Sequence, residues 1–267
     1  MQSLKNLIKK TEKEKIAIGH FNVSDFAALK GILEAARELN TSIIIGTSES
    51  EAKFLGRGTI VAAVKQLKNE YNFPIFINSD HTRSFEEVKK AVEAGYDAII
   101  FDGSKLSFEE NIKQTKKAVE YIKSKSEKIL VEGELGYIGG SSQILKSMPI
   151  GAAINSEDFT KPEEAAKFVK ETKIDLLAPA VGNLHGIVIG SNGESVNPQL
   201  DIKRIAEIKK AVKIPLVLHG GSGISDNDFR KAIDAGINII HINTEIRLAW
   251  KKGLEKSLKD FPEEIAP

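Results

Sequence analysis

The chain alternates eight short apolar runs with longer segments of helical periodicity. The runs are rich in Ile and Val and read, in order, IAIGHFN, TSIIIGTS, FPIFINSD, AIIFDG, KILVEGELG, DLLAPAVG, PLVLHGGSG and INIIHINTE. The segments between them repeat apolar residues every three or four positions, as amphipathic helices do. They include FAALKGILEAARELN, FEEVKKAVEAG, FEENIKQTKKAVEYIKS, KPEEAAKFVKET, DIKRIAEIKKAV and DNDFRKAIDAG. Apolar strands that alternate with helices predict a parallel sheet buried on both faces.

The number of units favours a closed barrel. Eight strand and helix units in 267 residues fit a single (β/α)8, or TIM, barrel better than an open doubly wound sheet. No linker interrupts the series, so we expect residues 1–267 to form one domain. One connection differs from the rest: residues 138–160, after the fifth strand, form a long Gly- and Ser-rich segment. Such a connection is typical of a lid or a binding loop, and we expect it to be mobile.

Composition excludes several classes of function. A formal net charge of +1, with Lys and Glu interspersed, lacks the basic surface of proteins that bind nucleic acid or anionic membranes. The chain has no Cys, so any metal ion must be bound by His and carboxylates. No window approaches the ~20 apolar residues of a membrane span, and the N-terminus lacks an apolar signal core. We therefore expect a cytoplasmic protein whose partners are small molecules or copies of itself.

Polar side chains collect where the predicted strands end, which is where barrels of this kind assemble their active sites. They are His20, Asn22, Ser48, Glu49, Asp80, His81, Asp102, Glu132, Glu134, Asn183, His185, His219, His241, Asn243 and Thr244. All five histidines of the chain belong to this set. Three His with an open fourth position are typical of a catalytic zinc site. Spacing does not identify which three, because each lies on a separate strand.

A second motif is HGGSG, residues 219–223, which precedes a helical segment. Its glycines leave backbone N–H groups open at a helix start, and the loops after strands seven and eight are the common phosphate site of barrels. Ser222 and Thr244 would add hydroxyl groups. The alternative is that Gly220, Gly221 and Gly223 only form a tight turn.

These motifs together resemble the class II, zinc-dependent ketose-bisphosphate aldolases, a family that includes fructose-1,6-bisphosphate and tagatose-1,6-bisphosphate aldolases. The resemblance covers nearly the whole chain, with GHFNVSDF, SDH, FDGSKLSFEENI, VEGELGYIGG, GNLHG, HGGSG and INTE in the family's order. It implies a lyase of carbohydrate metabolism, acting in glycolysis and gluconeogenesis on a phosphorylated sugar. It also implies a homo-oligomer, either a dimer or a tetramer, and a zinc cofactor, with a monovalent cation as a further candidate.

The resemblance also assigns metal ligands. It implies that His81, His185 and His219 bind the catalytic zinc ion. Asp102 and Glu134 match positions that hold a second or alternative metal location.

For catalysis, the resemblance implies that Asp80 gives or takes a proton at the oxygen of the carbon–carbon bond that is made or broken. Splitting a ketose phosphate between C3 and C4 leaves negative charge beside a carbonyl. A metal ion at that carbonyl would stabilise the charge as an enediolate, while Asp80 acts as general base or acid. Positions around the substrate and its phosphate are matched by Asn22, Ser48, Gly182, Gly186, Gly220, Gly221, Ser222, Asn243 and Thr244.

Three positions depart from the family pattern. The family usually carries a Glu in the loop after ELGxxGG, where this chain has Ser141 and Ser142. It also usually has an Asn in place of His241 and a small residue in place of His20. Because the first and last strands of a barrel are neighbours, we expect these two histidines to meet. Our hypothesis is that His241, assisted by His20, replaces the lost Glu in proton transfer; the alternative is that they only bind each other or an altered substrate.

Fructose-1,6-bisphosphate is the expected substrate, and dihydroxyacetone phosphate and glyceraldehyde 3-phosphate are the products. Tagatose-1,6-bisphosphate differs only in C4 stereochemistry, and a ketose monophosphate or a deoxy sugar is open because of the altered loop. Two other classes are also open. A metal-dependent sugar-phosphate epimerase or isomerase would use similar chemistry, and an inactive phosphosugar-binding protein would have lost it.

Overall fold

Eight parallel strands close into a barrel in the computed structural model, which describes residues 2–140, 142–190 and 199–265. The strands are β1 (Ile18–Asn22), β2 (Ile43–Ser48), β3 (Ile75–Thr82), β4 (Ala98–Phe101), β5 (Leu130–Leu135), β6 (Ile144–Leu145), β7 (Leu176–Pro179), β8 (Ile187–Val188), β9 (Leu216–Leu218) and β10 (Ile237–Ile242). Around the barrel the order is β1-β10-β9-β7-β5-β4-β3-β2, and β6 and β8 form a separate pair. Each of the eight predicted strands is one barrel strand, so the predicted (β/α)8 barrel is confirmed.

Ten helices accompany the strands in the described part of the chain. They are α1 (Leu4–Glu14), α2 (Phe26–Glu38), α3 (Glu49–Leu55), α4 (Arg57–Glu70), α5 (Phe85–Ala94), α6 (Phe108–Lys125), α7 (Pro162–Thr172), α8 (Ile202–Val212), α9 (Asp226–Ala235) and α10 (Thr244–Asp260). The six quoted helical segments correspond to α2 and α5 to α9. Several begin at a Ser or Asp whose side chain accepts a backbone hydrogen, as Ser107 does for α6, which stabilises the helix start.

The strands are apolar throughout because both of their faces are buried. Ile43 and Ile45 face the helices, whereas Ile44 lies with Phe76 in the barrel interior, as the two-residue period of a strand requires. Helix α1 adds Leu4, Leu7 and Ile8 to the interior cluster and so closes the amino-terminal end of the barrel. Among the described residues, the barrel interior is therefore open at its carboxyl end.

Towards that end the barrel interior becomes polar. On β1 the inward position after Ile18 is His20, and on β5 Leu130 is followed two residues later by Glu132. Both polar side chains are fully buried. TIM barrels normally fill these layers with branched apolar residues. The substitution of an apolar layer by ionisable groups indicates chemistry at this end.

Part of the long connection after β5 forms a strand and a small apolar cluster. Ile144 pairs with Ile187, so that β6 and β8 form a small parallel sheet. Residues Ile138, Ala153 and Phe159 pack together in a small apolar cluster with Ala180. Ser141 lies outside the described residues. The expected mobility of this connection stays a prediction.

Candidate active site

A cavity of about 310 Å³ opens at the carboxyl ends of the barrel strands. Most of the predicted site residues line it, namely Asn22, Ser48, Asp80, His81, His185, Gly186, His219, Gly220, Ser222, His241, Asn243 and Thr244. Asp102 and Glu134 are not on its wall but contact His81. Gly182 and Gly221 are also off the wall: added Cβ atoms would lie 2.2 Å from the carbonyl oxygen of Gln199 and 2.8 Å from that of His241, respectively.

Asp80 and His81 both reach the cavity although they are consecutive on β3. In a regular strand, neighbouring side chains point to opposite faces. Here the register between β3 and β4 shifts between Ser79 and Thr82, and His81 has a left-handed backbone conformation with φ of 50°. This bulge, a device often found beside active sites, directs both side chains to the centre. A non-glycine residue at positive φ is uncommon, so the backbone is strained where the site needs it.

Three imidazoles, those of His81, His185 and His219, meet edge to face in the cavity. Their ring planes are inclined by 70° to 77° to one another. The Nε2 atoms of His81 and His185 are 3.2 Å apart, and one nitrogen from each of the three rings lies within 4.8 Å of the others. Rings inclined in this way direct their lone pairs towards a common point.

The second nitrogen of each ring is bound by an oxygen atom. His81 Nδ1 lies 3.0 Å from Asp102 and 3.2 Å from Glu134. His185 Nδ1 donates to the carbonyl of Gly139 at 2.8 Å. Such oxygen partners fix the tautomer and orientation of metal-binding histidines.

His219 completes the set. Its Nε2 lies 2.8 Å from Glu132 Oε1, which leaves Nδ1 buried without a hydrogen-bond partner among the described residues. Two Nε2 atoms and one Nδ1 atom are therefore available to a cation. Three imidazole nitrogens with room for a fourth ligand fit a catalytic zinc ion.

The carboxylates around these rings favour positive charge in the cavity. Burial favours neutral imidazole, but the carboxylates of Asp80 and Glu134 raise the pKa of His81 well above its ordinary value. Burial and the neighbouring His81 and His219 lower the pKa of His185 to about 3. The pKa of His219 is raised by Glu132 despite burial. Since a metal ligand must be deprotonated, a bound cation would displace the protons from His81 and His219.

One carboxylate oxygen of Asp80 is hydrogen-bonded and the other is not. Its Oδ2 accepts a hydrogen bond from the amide of Asn22 at 2.9 Å. Its Oδ1 has no hydrogen bond within the described residues and lies 3.8 Å from His81 Nε2 and 3.6 Å from His241 Nδ1. Burial opposes ionisation, but His81 and His241 lower the pKa of Asp80 well below its usual value. The free oxygen is thus a carboxylate acceptor beside the three imidazoles.

His20 and His241 meet as expected. The strands β1 and β10 are paired with His20 opposite His241, and the two rings stack with centroids 3.5 Å apart and planes within 1°. Glycine on the next strand makes the room, because a Cβ at Gly46 would lie 2.1 Å from His20 Cε1. His241 also stacks on His219 at 4.0 Å. His20 is fully buried beneath His241, and only His241 lines the cavity.

This stacked pair does not form a second metal site with Asp80, although the ligand atoms of all three residues are within 4.8 Å of one another. Face-to-face rings carry parallel lone pairs, and two parallel lone pairs do not converge on one ion about 2 Å away. Burial lowers the pKa of His20 to about 4. Burial, together with His20 and His219, lowers the pKa of His241 well below its ordinary value. Both rings are therefore neutral at neutral pH.

The HGGSG loop is bound to the start of α10. Gly220 has φ of 61°, and a Cβ there would lie 2.2 Å from the carbonyl oxygen of Leu184, so this position requires glycine. Ser222 Oγ accepts from the backbone N–H of Glu245, and Glu245 Oε1 accepts from the N–H of Gly223. The amino-terminal end of the 17-residue helix α10 thus faces the cavity beside the loop, which is a favourable place for an anion.

Several cavity residues were not predicted from the sequence as site residues. They are Ser50, Arg83, Gly140, Gln143 and Arg247, together with Glu49, which was noted only as a strand-end residue. Ser142, which stands where the family usually has Glu, also lines the cavity. Arg83 lies two residues after His81 of the SDH motif and could have been found by its position. Arg247 could not, since only the fold brings α10 over the barrel mouth.

Comparison with known proteins agrees with this geometry. The chain matches the family model "Fructose-bisphosphate aldolase class-II" over residues 2–266. A fructose-bisphosphate aldolase of Staphylococcus aureus (strain Mu50) is 36% identical over 268 residues, with 99% of this chain and 88% of the relative covered. The enzyme of the same name from Geobacillus stearothermophilus is 35% identical with the same coverage.

Solved structures give the same result. The YdjI aldolase from Escherichia coli K12 superposes with a TM-score of 0.80 at 30% identity, covering 97% of this chain and 88% of that one. The protein therefore belongs to the class II fructose-bisphosphate aldolase family and is a lyase. Across the described residues, every helix is too short or too polar to cross a membrane.

Proposed function

We propose that this enzyme reversibly cleaves fructose-1,6-bisphosphate to dihydroxyacetone phosphate and glyceraldehyde 3-phosphate, with zinc as cofactor. The observation that carries the proposal is the meeting of three inclined imidazoles beside the free oxygen of Asp80. The names of the relatives support the substrate. The absence of thiolates from the chain and the nitrogen donors of the site favour zinc. His81 also contacts Asp102 and Glu134, which we propose as the alternative metal position.

The side chains divide the reaction between them. A divalent ion bound by the three imidazoles would polarise the ketose carbonyl. Asp80 would take the proton of the C4 hydroxyl through Oδ1 during cleavage and return it to the aldehyde during synthesis. Its low pKa keeps the acceptor ionised before the substrate reacts.

The phosphate next to the carbonyl is proposed to lie at the HGGSG loop. Gly220, Ser222, Asn243 and Thr244 line that side of the cavity, and the helix α10 begins there. Backbone N–H groups at a helix start bind phosphate without a countercharge. With the phosphate there, the carbonyl group of the ketose would lie next to the imidazoles.

We propose His241 as the group that exchanges a proton with the carbon next to the carbonyl, in place of the Glu that the loop lacks. The His241 ring lines the cavity and is stacked between His20 and His219. Packing on both faces holds the ring edge towards Asp80, 3.6 Å from its Oδ1. We assign His20 the role of supporting this orientation, because it is buried below the cavity and does not line it.

Replacing His241 by Asn is expected to slow solvent exchange of the carbon-bound proton of dihydroxyacetone phosphate by about 10²–10⁴-fold, the usual contribution of a general base. Proton NMR in deuterated buffer measures this exchange directly. The matched variant His20→Ala removes the stacking partner but keeps His241, so its exchange should fall less. An unchanged exchange rate in the Asn variant would exclude His241 from this step.

The proposed activity is tested by triose-phosphate release from fructose-1,6-bisphosphate. We expect purified protein to lose cleavage in chelator and to regain it when zinc is restored, because the three imidazoles supply no Lewis acid by themselves. A coupled NADH assay measures the release, and metal analysis of the same samples gives zinc per chain.

Failure to cleave with zinc bound would mean that the substrate is wrong. Tagatose-1,6-bisphosphate and ketose monophosphates would then be assayed, and conversion without triose release would indicate an epimerase or isomerase. Protein that neither binds metal nor turns over any of these would be a phosphosugar-binding protein.

From the family we also propose a single cytoplasmic domain that assembles as a homo-oligomer. A monovalent cation is proposed as a further ligand.

A further inference from the structure

A continuous chain of four side chains leads from the mouth of the cavity to Asp80. Arg247 Nη2 donates to Glu51 Oε1 at 2.5 Å. The amide of Asn22 donates to Glu51 Oε2 at 3.0 Å and to Asp80 Oδ2 at 2.9 Å. Glu51 is 5% exposed and Asn22 is 3% exposed. Two buried carboxylates are thus bridged by one amide group.

The bridge fixes which end of the Asn22 amide faces Asp80. A side-chain amide has two N–H donors on nitrogen and only acceptors on oxygen. Ionised Glu51 and Asp80 can only accept, so the nitrogen must lie between them and both of its hydrogens are used. Without the Glu51 carboxylate, the amide loses one of its two acceptors, and of these two bonds only the one to Asp80 is left to hold it.

The orientation of Asn22 in turn decides the orientation of Asp80. The bond from Asn22 holds Oδ2, and Oδ1 is left towards His81 and His241. That free oxygen is the atom that would receive the substrate proton. We propose that Glu51 is a positioning residue for Asp80, acting through Asn22, with Arg247 compensating its charge. This inference rests on the proposed role of Asp80 in aldol cleavage.

Glu51 also has a local task that must be separated from this role. Its Oε2 accepts from the backbone N–H and the hydroxyl of Ser48, both at 2.8 Å, and the two residues form a capping box at the start of α3. A capping box stabilises a helix but has no effect on proton transfer. If capping were the whole role, removing the charge would lower stability and leave catalysis unchanged.

The test is the variant Glu51→Ala in the zinc-loaded enzyme. Ala removes the acceptor that Asn22 uses, whereas Gln can still offer a carbonyl oxygen to both Asn22 and Ser48. We expect kcat for cleavage to fall by about 10²-fold, the effect of a small misplacement of a catalytic group, with KM little changed. Proton exchange of dihydroxyacetone phosphate should be unchanged, since it does not involve the C4 hydroxyl. Equal loss of cleavage and exchange would overturn the proposal.

The matched control is Ser107→Ala, which removes the cap of α6 away from the cavity. Both variants should unfold at a lower temperature, but only Glu51→Ala should lose cleavage. Equal cleavage rates in the two variants would leave Glu51 a capping residue.

A double variant tests the path through Asn22. Groups that act through one another are not additive, so Glu51→Ala combined with Asn22→Ala should be no slower than Asn22→Ala alone. A multiplied loss would show that Glu51 acts independently and would overturn the inference.

A crystal structure of Glu51→Ala separates this inference from the proposed function. If the wild-type enzyme cleaves none of the ketose phosphates, the proposed function fails, but the geometry is still measurable. The inference requires that the Asn22 amide has left its position and that the Asp80 carboxylate has rotated. Unmoved Asn22 and Asp80 side chains would overturn it.

Discussion

Replacement of Asp80 by Asn is expected to reduce cleavage of fructose-1,6-bisphosphate by about 10²–10⁴-fold, because the variant keeps the shape of the side chain but loses the proton acceptor. The loss should appear in kcat and kcat/KM alike, since the C4 hydroxyl proton moves only during the reaction. Stopped-flow or coupled assays at saturating substrate measure it. Unlike His241→Asn, this variant should slow cleavage without slowing proton exchange at the carbon next to the carbonyl.

Two measurements on the same variant isolate that step. Its zinc content should equal that of the wild type, because the three imidazoles are unchanged. Its exchange of the carbon-bound proton of dihydroxyacetone phosphate should persist, because His241 is proposed to carry out that step. A variant with normal cleavage would remove Asp80 from the mechanism, and one without zinc would show instead that Asp80 supports the metal site.

The fold could be predicted from the sequence because both faces of each barrel strand are buried. Burial on two faces produces uninterrupted apolar runs such as Ile43 to Ile45, and eight such runs are visible without a structure. Four helices, α1, α3, α4 and α10, were not among the predicted segments. In α10 the apolar residues Ile246, Trp250, Leu254 and Leu258 recur every four positions, a helical pattern. Among the described residues of this helix only Thr244 is buried, so the stripe does not pack on the core.

The sequence could predict which residues form the site but not which contacts they make with one another. Strand ends and family motifs identified the histidines and Asp80. The bulge that turns Asp80 and His81 to the same side depends on a register shift between β3 and β4, which no local pattern in SDHT encodes. Glu51 is one of two acidic residues in SESE, and only the fold shows that it, and not Glu49, bonds to Asn22.

For the stacked histidines, the sequence predicted the contact but not its geometry. Neighbouring first and last strands predicted that His20 and His241 would meet. The sequence did not predict that Gly46 on a third strand provides the space, or that the rings lie within 1° of parallel. That angle matters for function, because it favours a packed proton-transfer group over a second metal site.

Replacement of His185 by Ala should have the largest effect on the metal site. His185 is one of the three proposed zinc ligands, and its Nε2 faces that of His81 at 3.2 Å. Two remaining imidazoles should bind zinc more than about 100-fold less tightly, a larger loss than oxygen partners of ligands produce. Zinc titration with a fluorescent chelator measures the affinity, and cleavage should disappear at zinc concentrations that saturate the wild type.

Glu132→Gln provides the graded comparison, because Glu132 binds the far nitrogen of His219 without lining the cavity. Loss of such an oxygen partner weakens metal binding by about 10- to 100-fold, so cleavage should return when zinc is raised. Glu163 on α7 is exposed, and the variant Glu163→Gln should bind zinc like the wild type.

If His185→Ala binds zinc normally, the ion does not use this set of imidazoles. If Glu132→Gln loses as much affinity as His185→Ala, Glu132 is itself a ligand, as its position beside His219 and His241 would permit.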